Sequence, residues 1–143
     1  MKKIFVSLIT LIMLSSCGFK VLNKSELSDF NIKELTTYGN KRINYKIRND
    51  LLSYNKKDSA NILTIELDSK NEKIIKEKNI KNQITKYQII VNVNMSLNII
   101  NRGIKEKINL SNKGSYTVAE NNSSTRNNEK KLVENLVSNI SQK

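Results

Sequence analysis

Cys17 is the residue best placed for covalent chemistry, because it is the only cysteine and directly follows a short apolar run. Two lysines open the chain, and the eleven residues 4–14 are apolar apart from one serine and one threonine. Such a run is too short to span a bilayer as a helix, which needs about 20 residues. It suits the apolar core of a secretory signal. The segment therefore predicts export, with residues 1–16 as a cleaved signal peptide.

Residues 14–17, Leu-Ser-Ser-Cys, resemble the bacterial lipobox, in which the thiol is acylated and the cysteine becomes the first mature residue. The resemblance implies N-acyl (palmitate) and S-diacylglycerol groups on Cys17, a membrane anchor, and a tether of residues 17–28. Gly18 and Phe19 follow, with no aspartate at the second position, as in signals sorted to the outer membrane. The alternatives are an ordinary signal peptide with a chance cysteine, or an uncleaved N-terminal anchor.

The sequence lacks the residues that most catalytic, metal-binding and phosphate-binding sites need. The chain has no histidine, and an acylated Cys17 leaves no free thiol, disulfide or thiolate metal site. Its four glycines form no phosphate-binding loop, and its carboxylates alternate with lysines. We expect no enzyme, no metal and no cofactor beyond the covalent lipid.

The net charge of +12 would suggest nucleic acid for a cytosolic protein. Export instead favours phospholipid headgroups and phosphorylated glycolipid as anionic partners, and excludes nucleic acid. Lysine, asparagine and isoleucine are all abundant, and an AT-rich codon bias would explain the positive charge equally well.

The first predicted elements are a strand over Asp29–Thr36 and a helix over Lys41–Tyr54. Asn40 follows Gly39 and is a good helix N-cap. The helix has an apolar stripe at i, i+4 and i+8, formed by Ile43, Ile47 and Leu51.

Alternation of apolar and polar residues predicts the strands that follow. One covers residues 63–68 and continues through Ile74 and Ile75, with a bulge between, before a basic turn at 76–82. A long hairpin then pairs Ile84–Ile100 with Ile104–Val118. Its first strand has seven apolar residues at successive odd positions, namely Tyr87, Ile89, Val91, Val93, Met95, Leu97 and Ile99.

A terminal helix closes the chain. Residues 121–128 predict a loop, or a frayed helix start capped by Ser123, Ser124 or Thr125. The apolar face beyond consists of Leu132, Val133, Leu136, Val137 and Ile140.

The order β-α-β-β-β-α predicts an α+β two-layer sandwich over residues 29–143. In it, two amphipathic helices pack on one face of a mixed, mostly antiparallel sheet of about four strands. The other face of the long strand carries uncharged polar residues, including Asn92, Asn94 and Asn98. Such a face is either solvated or in contact with another wet protein wall.

Over nearly all of the predicted mature chain, the sequence resembles the LPS-assembly lipoprotein LptE family. The resemblance rests on order and spacing: the Cys-Gly-Phe start, an Arg-containing helix from Arg42 to Leu52, the Thr85–Ile89 entry to the long strand, the Gly114–Tyr116 segment and the closing helix. It implies an outer-membrane lipoprotein on the periplasmic side that helps to assemble, and plugs, an LptD-type β-barrel. It also implies contact with lipopolysaccharide in transit to the outer leaflet.

Basic residues are the site that this resemblance implies. Arg126 matches a family basic residue at the approach to the final helix, and Lys78, Lys81 and Lys86 cluster before the long strand. These four are the candidate lipopolysaccharide contacts, with solvated surface positions as the alternative. The competing functions are another accessory or pilot lipoprotein of the outer membrane, or a small periplasmic lipid-binding lipoprotein.

Overall fold

The computed structural model describes residues 30–142. The predicted signal peptide, the lipidation site Cys17, the tether and residue 29 lie outside them. Two helices and a four-stranded sheet follow in the predicted order: β1 (Asn31–Gly39), α1 (Lys41–Ser53), β2 (Ile62–Lys78), β3 (Ile84–Ile99), β4 (Ile104–Thr117) and α2 (Asn122–Ser141). The sheet order is β1-β2-β3-β4, with β1 parallel to β2 and the other pairs antiparallel. The predicted α+β class and mixed sheet are confirmed.

The break between β1 and α1 lies where the sequence predicts it. Gly39 adopts φ +83°, a left-handed conformation that glycine takes without steric cost. The side chain of Asn40 then accepts hydrogen bonds from the backbone N–H groups of Arg42 at 3.0 Å and Ile43 at 3.2 Å. The predicted N-cap is confirmed, and it fixes where the chain leaves the sheet.

Strand β2 is longer than its sequence pattern predicts. It continues to Lys78, so the predicted turn at 76–82 is wrong over its first three residues. The bulge lies after Ile75, where the pairing with β3 shifts at Glu77. Backbone pairing sustains the strand here, because the partner strand is present alongside it even where the apolar alternation stops.

Helix α2 begins about ten residues before its apolar stripe. Of the two alternatives for residues 121–128, the helix start is confirmed and the loop is wrong, and so are the predicted caps at Ser123, Ser124 and Thr125. Asn121 is the N-cap, and its side chain accepts a 2.7 Å bond from the N–H of Ser124. Asn128 Nδ2 also donates to the carbonyl of Thr117, which ties the polar first turns to the end of β4.

Both helices cover one face of the sheet. Their stripes meet the odd positions of β3 in a continuous core, which consists of Ile43, Ile47, Leu67, Ile89, Val91, Val93, Tyr116, Leu136, Val137 and Ile140. Burying each large apolar side chain contributes about 1.5–3 kcal/mol, so this layer dominates the stability of the domain. Neither described helix is long and apolar enough to cross a membrane.

Candidate functional site

The outer face of the sheet, opposite the helices, has a graded charge. On β3 most of its side chains are uncharged amides or a hydroxyl, namely Gln88, Asn92, Asn94, Ser96 and Asn98, and Lys86 and Ile90 share the same face. The β2 row on one side carries Glu66, Asp68 and Glu72, with Lys70 between the last two, whereas the β4 row on the other side carries Lys105, Lys107 and Lys113. Glu66 and Lys107 flank the same β3 residue, Ser96, so they are about 10 Å apart at two strand spacings. The result is a wide polar surface with one acidic and one basic margin.

Arg126 lies in an open cleft on the helix side of the sheet. The cleft has a volume of about 420 Å³ and is lined by Asn40, Arg42, Asn71, Arg126, Glu129, Lys130 and Val133. Arg42 Nη2 is 2.7 Å from Glu134 Oε1, so its charge is partly neutralised. Arg126 is exposed, and its side chain makes no hydrogen bond or ion pair with any other residue between 30 and 142. Its guanidinium is available to an anion.

The three candidate lysines lie apart from Arg126. Lys86 is on the outer face, since its neighbour Tyr87 packs on the helix side. Its Nζ pairs with Glu77 Oε1 at 2.8 Å. Lys78 Nζ donates to Asn82 Oδ1 at 3.0 Å, and Lys81 belongs to the turn between β2 and β3. Lys86 therefore lies on the face opposite the Arg126 cleft, and none of the three lysines lines that cleft.

Two cationic residues of the cleft were not predicted. Arg42 comes from the first turn of α1, far from Arg126 in sequence, and only the packing of both helices brings them to one cleft. Lys130 follows Arg126 by four residues on α2, and such residues share a helix face. Recognising 121–128 as helical would have revealed that second pair.

Glu129 lines the cleft and belongs to a cluster of polar and aromatic side chains. Its Oε2 accepts from Lys73 Nζ at 2.6 Å and from Tyr116 Oη at 2.7 Å. Lys73 Nζ also lies 4.3 Å from the ring centroid of Tyr87, which stacks on Tyr116 with centroids 5.7 Å apart. This cluster joins β2, β3 and β4 to α2 and holds Glu129 at the inner end of the cleft.

Burial and hydrogen bonding oppose each other in this cluster. Burial alone raises the pKa of Glu129, but the bonds from Lys73 and Tyr116 outweigh it, so its pKa lies below the ordinary value. Burial alone lowers the pKa of Lys73, but the bond to Glu129 outweighs it and raises the pKa. Burial raises the pKa of the Tyr116 hydroxyl. Glu129 is therefore a carboxylate engaged in structure, and a poor proton donor near neutral pH.

A two-layer sandwich with two helices on one face of a β1-β2-β3-β4 mixed sheet is shared with solved lipoprotein structures. Rare lipoprotein B of Shewanella oneidensis matches with a TM-score of 0.58 at 10% identity, over 76% of this chain and 88% of that one. Lipoprotein B of Nitrosomonas europaea, uncharacterized, gives 0.51 at 12% identity over 87% and 86%.

A Caulobacter crescentus CB15 protein assigned as a lipoprotein gives a TM-score of 0.50 at 14% identity, over 76% of this chain and 82% of that one. No family model and no curated protein matches the sequence. At these identities the likeness establishes the fold.

Proposed function

We propose that this chain is a lipid-anchored, non-catalytic accessory protein of the outer membrane. It helps to assemble, and partly fills, an LptD-type β-barrel that moves lipopolysaccharide to the outer leaflet. Cys17 carries the lipid, and the folded domain lies on the periplasmic side and within the barrel lumen. The fold shared with lipoproteins and the lipobox support the anchor, and the resemblance to the LptE family supports the partner.

The polar outer face is the observation that carries this proposal. Five uncharged polar side chains on the outer face of β3, interrupted once by Ile90, offer hydrogen bonds without the desolvation cost of buried charges. Ser111 Oγ already donates to Asn92 Oδ1 at 2.7 Å, which shows that these groups can bond laterally. A barrel lumen is lined by polar residues and water. A face of this chemistry is suited to such a wall, through direct or water-mediated contacts.

The cleft cations supply the proposed contact with lipopolysaccharide. Arg126 and Lys130 lie on one side of α2 with Arg42 opposite, in a cleft open to solvent. Charge-assisted bonds from such groups to phosphate are about twice as strong as neutral ones. Lys78 and Lys81 at the β2–β3 turn form a second, separate basic region that could meet another phosphate of the same large glycolipid.

A lipid-binding protein without a barrel partner is less well supported. The domain does have an apolar cavity at the C-terminal ends of the two helices, with Leu51, Tyr54, Met95 and Ile140 among its lining residues. Its volume is about 150 Å³. Pockets for drug-sized ligands range from about 300 to 1,000 Å³, so this cavity would not enclose a lipid. A groove between the two helices, about 300 Å³ and lined in part by Ile43, Val133 and Val137, is at the lower limit of that range and open to solvent.

Affinity purification of the full-length, tagged protein from outer membranes in mild detergent tests the proposal. We expect a large β-barrel in stoichiometric amount, an acylated N-terminal Cys17 by mass spectrometry, and less surface lipopolysaccharide after depletion. Cys17→Ser is the control for anchoring and is expected to abolish acylation. Recovery of a secretin or of an assembly factor instead would favour a pilot lipoprotein. Recovery without any barrel, together with a normal surface, would refute the proposal.

A further inference from the structure

Strand β2 has an open edge that β1 leaves uncovered. The β1–β2 pairing ends at Gly39 and Ser69, where the chain turns away into α1, whereas β2 continues for nine more residues to Lys78. A side chain at Gly39 would place its Cβ 2.1 Å from the carbonyl oxygen of Ser69. Only glycine therefore allows the close approach of the two strands at the end of β1. Within residues 30–142, no strand pairs with this side of β2 beyond Ser69.

The direction of the free backbone groups follows from one hydrogen bond. The N–H of Asn40 donates to the carbonyl of Ser69 at 2.8 Å, so the peptide groups of Ser69 face the β1 side. Successive residues of a strand direct these groups to alternate sides. Asn71, Lys73 and Ile75 therefore present their N–H and C=O groups at the open edge, before the bulge that begins after Ile75.

Apolar side chains and positive charge accompany this edge. Ile74 and Ile75 are 44% and 48% exposed, and Ile80 at the following turn is fully exposed. Exposed apolar residues on an unprotected edge are what soluble proteins usually avoid. Lys70, Lys76 and Lys78 have no carboxylate partner among the described residues; Lys76 Nζ donates to Ser115 Oγ of β4 at 3.2 Å, away from the edge, and Lys78 Nζ donates to Asn82 Oδ1.

Carboxylates along the same edge are fewer. Glu77 is neutralised by Lys86, which leaves Glu72 as the one carboxylate without an ion-pair partner between 70 and 78 in the described structure. Asn71 also lines the Arg126 cleft, so Arg126 and Lys130 add to the positive field on the helix side of the edge.

We propose that the open edge of β2, residues 70–78, binds an extended acidic segment of a partner protein as an added strand. The added strand would take bonds from Asn71, Lys73 and Ile75 and continue the sheet beyond the end of β1. Main-chain bonds supply affinity in such strand addition, and side-chain charge supplies specificity. The partner segment need not belong to a translocating barrel, so the edge is a feature independent of the proposed transport role.

The test uses the full-length protein in detergent and two synthetic nine-residue peptides. One alternates glutamate with threonine and valine, and the other has lysine in place of every glutamate. We expect the acidic peptide to bind at least about tenfold more tightly, since opposite charges favour cross-strand pairs and like charges disfavour them. NMR hydrogen exchange is expected to slow at the amides of Asn71, Lys73 and Ile75 in the complex.

Proline substitutions distinguish the N–H groups at the open edge of β2 from those that bond to β3. Ile75→Pro removes an N–H that faces the open side, which a sheet tolerates at an edge. It is expected to lower the affinity for the acidic peptide by about tenfold or more. Ile75→Thr keeps the N–H and is the matched control. Ile74→Pro removes a bond to β3 and is expected to lower the unfolding temperature. Lys70→Glu keeps the backbone intact and is expected to reduce the preference for the acidic peptide.

Three results would overturn the proposal. They are equal or absent binding of the two peptides, slowed exchange at β4 in place of β2, and a concentration-dependent dimer that Ile75→Pro abolishes. The last, measured by analytical ultracentrifugation without peptide, would assign the edge to a second copy of the chain.

Discussion

Ser69 Oγ donates a 2.6 Å hydrogen bond to Asn44 Oδ1, and this pair is the buried polar link between the sheet and α1. Ser69 is 1% exposed and Asn44 4%. The amide of Asn44 in turn donates to the carbonyl of Tyr38 at 2.6 Å. The first helix is thus fixed to the end of β1 and to the middle of β2, where the open edge begins.

Ser69→Ala is expected to lower the free energy of unfolding by about 1–3 kcal/mol, because it leaves the buried Asn44 oxygen without its donor. Urea unfolding followed by circular dichroism measures the change. Ser111→Ala is the control, since its bond to Asn92 is exposed, and should stay within about 0.5 kcal/mol. Equal losses of unfolding free energy in both variants would show that the buried hydrogen bond contributes no more to stability than the exposed one.

Two glycines with positive φ allow a matched comparison of backbone strain. Gly39→Ala should destabilise the fold by more than about 3 kcal/mol, since left-handed strain of about 1–2 kcal/mol adds to a clash with the Ser69 carbonyl. At Gly103, φ is +64° and a Cβ would meet nothing within 4 Å. Gly103→Ala should therefore cost only the strain. Thermal unfolding of both variants distinguishes the two cases, and a smaller loss at Gly39 would contradict the close approach.

Glu129 should make the free energy of unfolding decrease at low pH. Its pKa is lower in the folded state than its ordinary value of 4.5, so its contribution is complete above about pH 4.5 and is lost as the pH falls through the folded pKa. The raised pKa of Lys73 acts in the opposite direction: its contribution is complete below about pH 10.5 and is lost as the pH rises through the folded value.

Glu129→Gln is therefore expected to destabilise the protein by about 1 kcal/mol at neutral pH, because the pair is one-third exposed, and by less at low pH. Urea midpoints across the pH range measure this difference. Glu77→Gln, which breaks the more exposed pair with Lys86, is the control and should give a nearly flat difference. A constant effect of Glu129→Gln from pH 3 to 7 would argue against a charged role.

Arg126→Glu should weaken binding to lipopolysaccharide at low salt, with a smaller effect at high salt because counterions screen exposed charges. The fold should change by less than about 0.5 kcal/mol, since the side chain is exposed. Arg48→Glu makes the same charge change on the exposed surface of α1, outside the cleft. Loss of binding in both variants would indicate a net-charge effect, and loss in neither would make Arg126 a solvated residue.

Local patterns determined most of the architecture. Odd-position apolar residues from Tyr87 to Ile99 define β3, because side chains alternate across a strand and only one face can be buried. Asn40 marks the start of α1 since its side chain satisfies N–H groups that the helix itself cannot. The lipobox likewise predicts acylation of Cys17 from four residues, and that prediction concerns positions outside the described range.

Contacts between distant segments decided the rest. The extra turns of α2 before Leu132 have no apolar stripe. They are held by the Asn121 cap, by the bond of Asn128 to β4 and by the bonds of Glu129 to Lys73 and Tyr116. The cleft joins Arg42 to Arg126 through the packing of two helices, which no local spacing records. The open edge of β2 exists because β1 is eight residues shorter than its neighbour. The length of a strand depends on which other strands pair with it in the folded protein, whereas the periodicity of apolar side chains can be read from the order of the residues alone.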